Sequence, residues 1–199
     1  MLWPLTIAAL AAPIDTVLGN GTGPTVLALH GLGDTPASFA QVFDGMPGPA
    51  RLRVLEGPFP WREGYSWLSQ DHRLAQAADR IAAGLSEAVA VVGFSQGGAL
   101  ALALAVRHPQ RILAAVSIAG GLPESMLPDS PVPEAPPVTA LHGGSDPQVP
   151  LRPMRRVIRT LSRLGYDAEL RVYPEVGHSI PPEMRADLSV LLSRLEVAL

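Results

Sequence analysis

Neither cysteine nor lysine occurs anywhere in the 199 residues. Without cysteine there can be no disulfide, no thiolate metal site and no cysteine nucleophile, and cysteine usage says nothing about the compartment. All 15 cationic residues are therefore arginine, which removes Schiff-base chemistry and the phosphate-loop lysine. Charge is also sparse: 17% of residues are Asp, Glu or Arg, and the net charge of −3 offers no strong field to nucleic acid or an anionic membrane. Basic residues crowd only at Arg152-Pro-Met-Arg155-Arg156. No apolar run approaches the ~20 residues needed to cross a bilayer, so stable membrane insertion is not expected. Five histidines remain as candidate bases.

A hydrophobic fraction of 47% describes a chain that buries a substantial core, and its length is that of one domain, expected over 1–199. The N-terminal stretch Met1–Pro13 is apolar but lacks the basic region that opens a signal peptide. It is read as an edge hairpin, with strands at Leu5–Ala11 and Asp15–Leu18 and a turn at Gly19–Gly23, and a cytoplasmic location is expected. Trp3 is plain edge packing in this reading.

Strand-like stretches recur along the remaining chain, most of them short continuous apolar runs, as buried strands are, with Arg51–Leu55 and Ala168–Tyr173 alternating. They lie at Thr25–Leu29, Arg51–Leu55, Ala88–Val92, Arg111–Ile118, Val138–His142 and Ala168–Tyr173. Helical spacing separates them, at Pro36 to about Phe43, Gln70 to about Leu85, an Ala/Leu run ending at Arg107, Leu151–Leu164 and Pro181–Leu195. Thr35 or Asp34 is placed to cap the first helix, and Pro47–Pro49 to close that unit. Residues 58–67 hold too much proline, glycine and aromatic character for regular structure and are expected to be a loop. The six prolines between Leu122 and Pro137 exclude a long helix there. This alternation predicts an α/β fold, a mostly parallel sheet with an antiparallel N-terminal edge, helices on both faces and little or no cap. In such sheets functional groups gather beyond the carboxyl ends of the strands. His30, Ser95, Gly120–Gly121, His142–Asp146 and His178 stand there.

One of those strand ends carries Gly93-Phe-Ser95-Gln-Gly97, a G-x-S-x-G pattern. This is the sequence of a nucleophile elbow, a sharp strand-to-helix turn in which a Cβ at 93 or 97 would crowd the backbone. A serine hydroxyl needs a base beside it, and the base needs a partner that fixes its tautomer. Asp146 follows a later strand and His178 the last one, so the order is Ser…Asp…His, that of the α/β hydrolases. Glu175 is a weaker alternative acid, only three residues from His178. Two backbone N–H groups must face the developing oxyanion. Gln96 supplies one, and the glycine-rich turn His30-Gly-Leu-Gly-Asp34 the other, with Leu32 preferred and Gly31 as the alternative. His30 and His142 are expected to brace their loops, and His72 and His108 to lie at the surface. Trp61, Trp67, Leu68, Leu122, Met126 and Val149 are candidates for an acyl pocket, against the reading that the tryptophans fill core.

Four motifs then share one pattern: His30-Gly-Leu-Gly-Asp-Thr35, Gly93-Phe-Ser-Gln-Gly-Gly98, His142-Gly-x-x-Asp146-Pro-x-Val-Pro150 and Gly177-His178. In this order they resemble the phospholipase/carboxylesterase family of α/β hydrolases, which includes acyl-protein thioesterases. The resemblance covers the chain from about residue 24 onward. It implies Ser95, Asp146 and His178 as a triad, Leu32 and Gln96 as oxyanion donors, and ester or thioester hydrolysis with neither cofactor nor metal. The chain is short for that family, and its 55–70 segment is closer to small bacterial esterases. The expected activity is hydrolysis of short- to medium-chain carboxylic esters, with a small-molecule ester as partner. Acyl-protein thioesterase or lysophospholipase activity is the alternative, and a non-catalytic ligand-binding protein a distant one. A homodimer through the N-terminal edge, and a lid formed by 122–137, are left open.

Overall fold

The computed structural model describes residues 14–17, 23–46, 51–71 and 73–195. The strand expected at Leu5–Ala11, the turn at 19–23, Trp3, the 47–49 closure and His72 lie wholly or largely outside these residues.

A seven-stranded sheet forms the centre of the fold, in the order β1-β3-β2-β6-β7-β8-β9. Its members are β1 (Ile14–Val17), β2 (Thr25–Leu29), β3 (Arg51–Leu55), β6 (Val89–Phe94), β7 (Ile112–Ile118), β8 (Val138–Gly143) and β9 (Ala168–Tyr173). Only β1 runs antiparallel, pairing Ile14–Val17 with Val54–Arg51 at the edge. All other neighbours are parallel.

Two-residue alternation divides each central strand between two cores. Leu27, Leu29, Val91, Ala115 and Ala140 face one cluster, completed by α2 (Leu74–Ala83), α3 (Gln96–Arg107) and α4 (Leu151–Arg163). Val26, Ala28, Val92, Val116 and Leu141 face the other, with α1 (Pro36–Ala40), the 3₁₀ turn that follows it at Gln41–Phe43, and α5 (Pro182–Arg194). Helices therefore cover both faces, and β2 and β6 at the centre read as continuous apolar runs because neither face meets water, whereas β3 and β9 keep exposed charged residues. Thr35 caps α1, its hydroxyl accepting from Ser38 N–H at 3.2 Å. On α4 the arginines 155, 156, 159 and 163 point to solvent while Met154, Val157, Ile158 and Leu161 are buried.

Two expectations are corrected. Residues 58–67 are not an irregular loop: β4 (Phe59–Trp61) and β5 (Gly64–Ser66) pair as an antiparallel ribbon. The turn joining them, Arg62-Glu63, places a non-glycine residue at φ 54°, so the usual glycine or asparagine signal of a tight hairpin is missing. Helix α2 begins at Leu74, not Gln70, where Arg73 N–H donates to Gln76 Oε1 at 2.8 Å. Between 122 and 137 the only helical piece is a 3₁₀ turn at Glu124–Met126. Among the described residues no helix is long and apolar enough to cross a membrane.

Candidate active site

Ser95 occupies the turn from β6 into α3 at φ 55°, ψ −113°. This conformation is costly for a residue with a side chain, on the order of 1–3 kcal/mol, and it persists because its neighbours over-determine it. Ser95 N–H donates to Ile118 C=O at 2.8 Å, and Ala99 N–H to Ser95 C=O at 2.9 Å. A Cβ on Gly93 would overlap the Gly97 carbonyl, and one on Gly97 the Leu29 carbonyl. The turn closes only because both positions are glycine.

Asp146 stands just beyond β8, and His178 between β9 and α5. The two loops are stitched together: Gly144 N–H donates to Tyr173 C=O at 2.7 Å and Ser145 N–H to Val176 C=O at 3.0 Å. Ser145 Oγ adds a bond to Pro174 C=O at 2.9 Å. His178 consequently meets both partners. Its Nδ1 lies 2.7 Å from Asp146 Oδ2 and its Nε2 2.8 Å from Ser95 Oγ. The Asp146 carboxylate is fully buried and the imidazole 9% exposed. Burial alone would raise the Asp146 pKa. The N–H groups of Val149 and Gln148, at 3.0 and 2.8 Å from Oδ1, together with the His178 ring outweigh it and hold the carboxyl below its ordinary range. An ionised carboxylate beside Nδ1 requires the proton there, which leaves Nε2 free to accept from Ser95. Glu175, the alternative acid, is exposed.

The turn after β2 lies against the elbow, where a Cβ on Gly31 would come within 3.6 Å of Ser95 Cβ. Within this turn Gly33 N–H donates to Tyr65 C=O and Asp34 N–H to Gly31 C=O. The N–H groups left for a ligand are thus those of Gly31 and Leu32. Gln96 is the first residue of α3, where a backbone N–H has no intrahelical acceptor.

His30 braces its loop. It is fully buried, its Nδ1–H donates to Gly31 C=O at 2.7 Å, and its Nε2 accepts from Gly57 N–H at 3.1 Å. Burial lowers its pKa, so it stays neutral. His142 is equally buried, its Nε2–H donating to Val149 C=O at 2.8 Å. His108 is not a free surface side chain: it is half-buried, with Nε2 at 2.8 Å from Asp79 Oδ1.

Of the six apolar residues assigned to an acyl pocket, two are corrected. Trp67 and Leu122 are 2% and 6% exposed and belong to the core beneath α2 and α3. The buried indole N–H finds its acceptor in His30 C=O at 2.9 Å. Leu68 and Met126 are half-buried against the same core, and Val149 packs beside Gly121. Trp61 stays half-exposed over Gly33, and Leu32 is equally exposed, so both leave apolar surface at the turn after β2. Two cavities, of about 430 and 270 Å³, are lined by residues other than Ser95, Asp146 and His178; the larger lies at the amino ends of the strands.

The sequence reading missed Phe94, whose ring lies 5.0 Å from the His178 ring. It also missed the Gln96 side chain, which reaches back to Ser66 and Trp67. Apolar Phe94 carried no signal of such a role, and the partners of Gln96 are distant in sequence.

Comparison with known proteins now decides the lineage. A sequence model of the phospholipase/carboxylesterase family matches residues 73–195, a span that holds Ser95, Asp146 and His178. The chain belongs to the phospholipase/carboxylesterase family. An acyl-protein thioesterase 1 of Gibberella zeae is 30% identical over 226 residues, covering 92% of this chain and 95% of that one. A Yersinia pestis protein carrying the name carboxymethylenebutenolidase is 35% identical over 109 residues, 51% of this chain and 40% of that one. Among solved structures, acyl-protein thioesterase 2 of Zea mays shares the fold at a TM-score of 0.73 and 23% identity, over 92% of this chain and 98% of that one. As a phospholipase/carboxylesterase family member the chain is an esterase-type hydrolase of carboxylic esters. The family match leaves the turn after β2 and the β4–β5 ribbon outside it.

Proposed function

We propose that the protein is a serine carboxylesterase acting on short- to medium-chain esters through an acyl-enzyme. The observation that carries this reading is the unbroken chain from Ser95 Oγ through the His178 ring to Asp146, with heavy-atom distances of 2.8 and 2.7 Å. Ser95 Oγ attacks the acyl carbonyl as its proton passes to His178 Nε2. Asp146, ionised, holds Nδ1–H and offsets the imidazolium charge. The negative charge on the former carbonyl oxygen is met by Gln96 N–H and Leu32 N–H. The C–O bond to the alcohol then breaks, and His178 returns its proton to the leaving oxygen. Water, deprotonated by the same imidazole, attacks the acyl-serine, and the acid departs with Ser95 restored.

Leu32 and Trp61 offer apolar contact beside the reacting carbonyl, with Met126, Leu68 and Val149 as further half-buried surface. Apolar contact from these few side chains favours a short or medium acyl chain. Thioester hydrolysis is the second reading, supported by the 30% identity to the Gibberella zeae thioesterase over nearly the whole chain. Ser95→Ala should lower kcat on p-nitrophenyl butyrate by about 10⁶. Retention of near-wild-type turnover would overturn the proposal. A series of p-nitrophenyl esters and acyl thioesters from two to sixteen carbons then separates the two readings.

A further inference from the structure

The proposed oxyanion donors come from different parts of the chain, the turn after β2 and the start of α3. Direct backbone contact at Leu29 and Gly97 holds the two parts together, and an element that touches both fixes their spacing further. Four consecutive residues do so, the three of β5 and Trp67 directly after it. Tyr65 forms a β-bridge to the turn: Gly33 N–H donates to Tyr65 C=O at 2.8 Å, and Tyr65 N–H to Asp34 C=O at 3.0 Å. Next to it, a Cβ on Gly64 would overlap the Gly33 and Asp34 carbonyls, so ribbon and turn are in backbone contact. Ser66 and Trp67 face the other way, to Gln96. Trp67 N–H donates to Gln96 Oε1 at 2.8 Å, which fixes the orientation of the amide. Gln96 Nε2 then donates to Ser66 Oγ at 3.2 Å. The Ser66 hydroxyl gives its single proton to Leu68 C=O at 2.8 Å and also accepts from Leu68 N–H at 3.1 Å. Ser66 is 2% exposed, so its share of these bonds is shielded from bulk water.

We propose that the Gln96 amide and the Ser66 hydroxyl are positioning groups that set the distance between the two oxyanion donors. In this arrangement one residue serves twice. The Gln96 backbone N–H meets the oxyanion, while its side chain clamps the ribbon that carries the opposing turn. The inference rests on the serine-hydrolase reading above. Neither side chain touches substrate. Their contribution is to the geometry of the tetrahedral state, where a displacement of about 1 Å can cost on the order of 10² in rate.

The test uses the purified full chain with Gln96→Leu and Ser66→Ala. For each, kcat and KM on p-nitrophenyl butyrate are measured alongside the inhibition constant of phenylboronic acid, whose boron takes the serine oxygen and whose own oxygen occupies the oxyanion position. The proposal expects kcat to fall about tenfold or more with KM nearly unchanged, and boronate affinity to fall in parallel, because the loss is confined to the tetrahedral state. A folded variant with kcat within about twofold of wild type overturns it, as does a drop in kcat with boronate affinity intact. If Gln96→Leu does not fold, Ser66→Ala decides alone. Ser95→Ala is run beside them: near-wild-type turnover there sinks the serine reading itself, whereas a Ser95→Ala lowered by about 10⁶ with a fully active Gln96→Leu and Ser66→Ala sinks only the positioning role.

Discussion

The Phe94 ring lies against the His178 imidazole, with centroids 5.0 Å apart and planes tilted by 41°. Phe94 directly precedes Ser95, so the residue before the proposed nucleophile also forms a wall against which the proposed base, His178, rests. Phe94→Ala removes that wall while leaving the Ser95, His178 and Asp146 polar atoms in place. The imidazole then samples orientations that break its short bond to Ser95. A loss of about tenfold in kcat is expected, with KM little changed, as for misorientation of a reacting group. Steady-state kinetics on p-nitrophenyl butyrate checks this, and an unaltered kcat would show that Asp146 alone orients the ring.

Asp146→Asn tests the tautomer argument. The amide oxygen can still accept from Gln148 and Val149 N–H, so the backbone loop is kept. The amide NH₂ then faces His178 Nδ1, donor against donor, and the ring is driven to carry its proton on Nε2. A fall of about 10⁴ in kcat is expected with the thermal midpoint nearly unchanged. If Glu175 were the working acid, the variant would keep most of its activity.

His30 makes the fold sensitive to acid. Burial lowers its folded-state pKa, so as pH falls through about 6.5 the unfolded chain takes up a proton that the folded chain refuses. The unfolded state binds more protons, and stability therefore drops with falling pH. Urea midpoints measured between pH 8 and pH 5 should decline in the wild type. The decline should be shallower in His30→Gln, which can still accept from Gly57 N–H but cannot be charged. Equal slopes in the two proteins would remove His30 from the acid response.

Gly97→Ala should not fold normally. The added Cβ overlaps the Leu29 and His30 carbonyls, which are backbone and cannot step aside. A loss of at least about 3 kcal/mol in a urea titration is expected, at the upper end of overpacking costs. A stable, active Gly97→Ala would mean that the elbow is looser than described.

Much of this architecture is legible in the sequence, and the exceptions have physical causes. Strands such as Thr25–Leu29 and Ala168–Tyr173 were legible because burial on both faces, or alternation, leaves an unmistakable pattern over five or six residues. Ser95, Asp146 and His178 were legible because each follows such a strand, and the parallel sheet brings those ends to one side. The β4–β5 ribbon was not, since Pro60 and the Arg62-Glu63 turn obscure its pairing. Trp67 and Leu122 were misplaced for a related reason: in irregular segments no periodicity separates a core side chain from a pocket wall. The amide of Gln96 was invisible because its partners lie thirty residues away, on the element that sequence pattern could not resolve.

The central claim is that Ser95 is the nucleophile. Treatment of the purified protein with a fluorophosphonate, followed by peptide mass spectrometry, tests it most directly. One adduct per chain is expected, on Ser95, in step with complete loss of esterase activity and abolished in Ser95→Ala. Modification at another residue, or inactivation without label on Ser95, would contradict it.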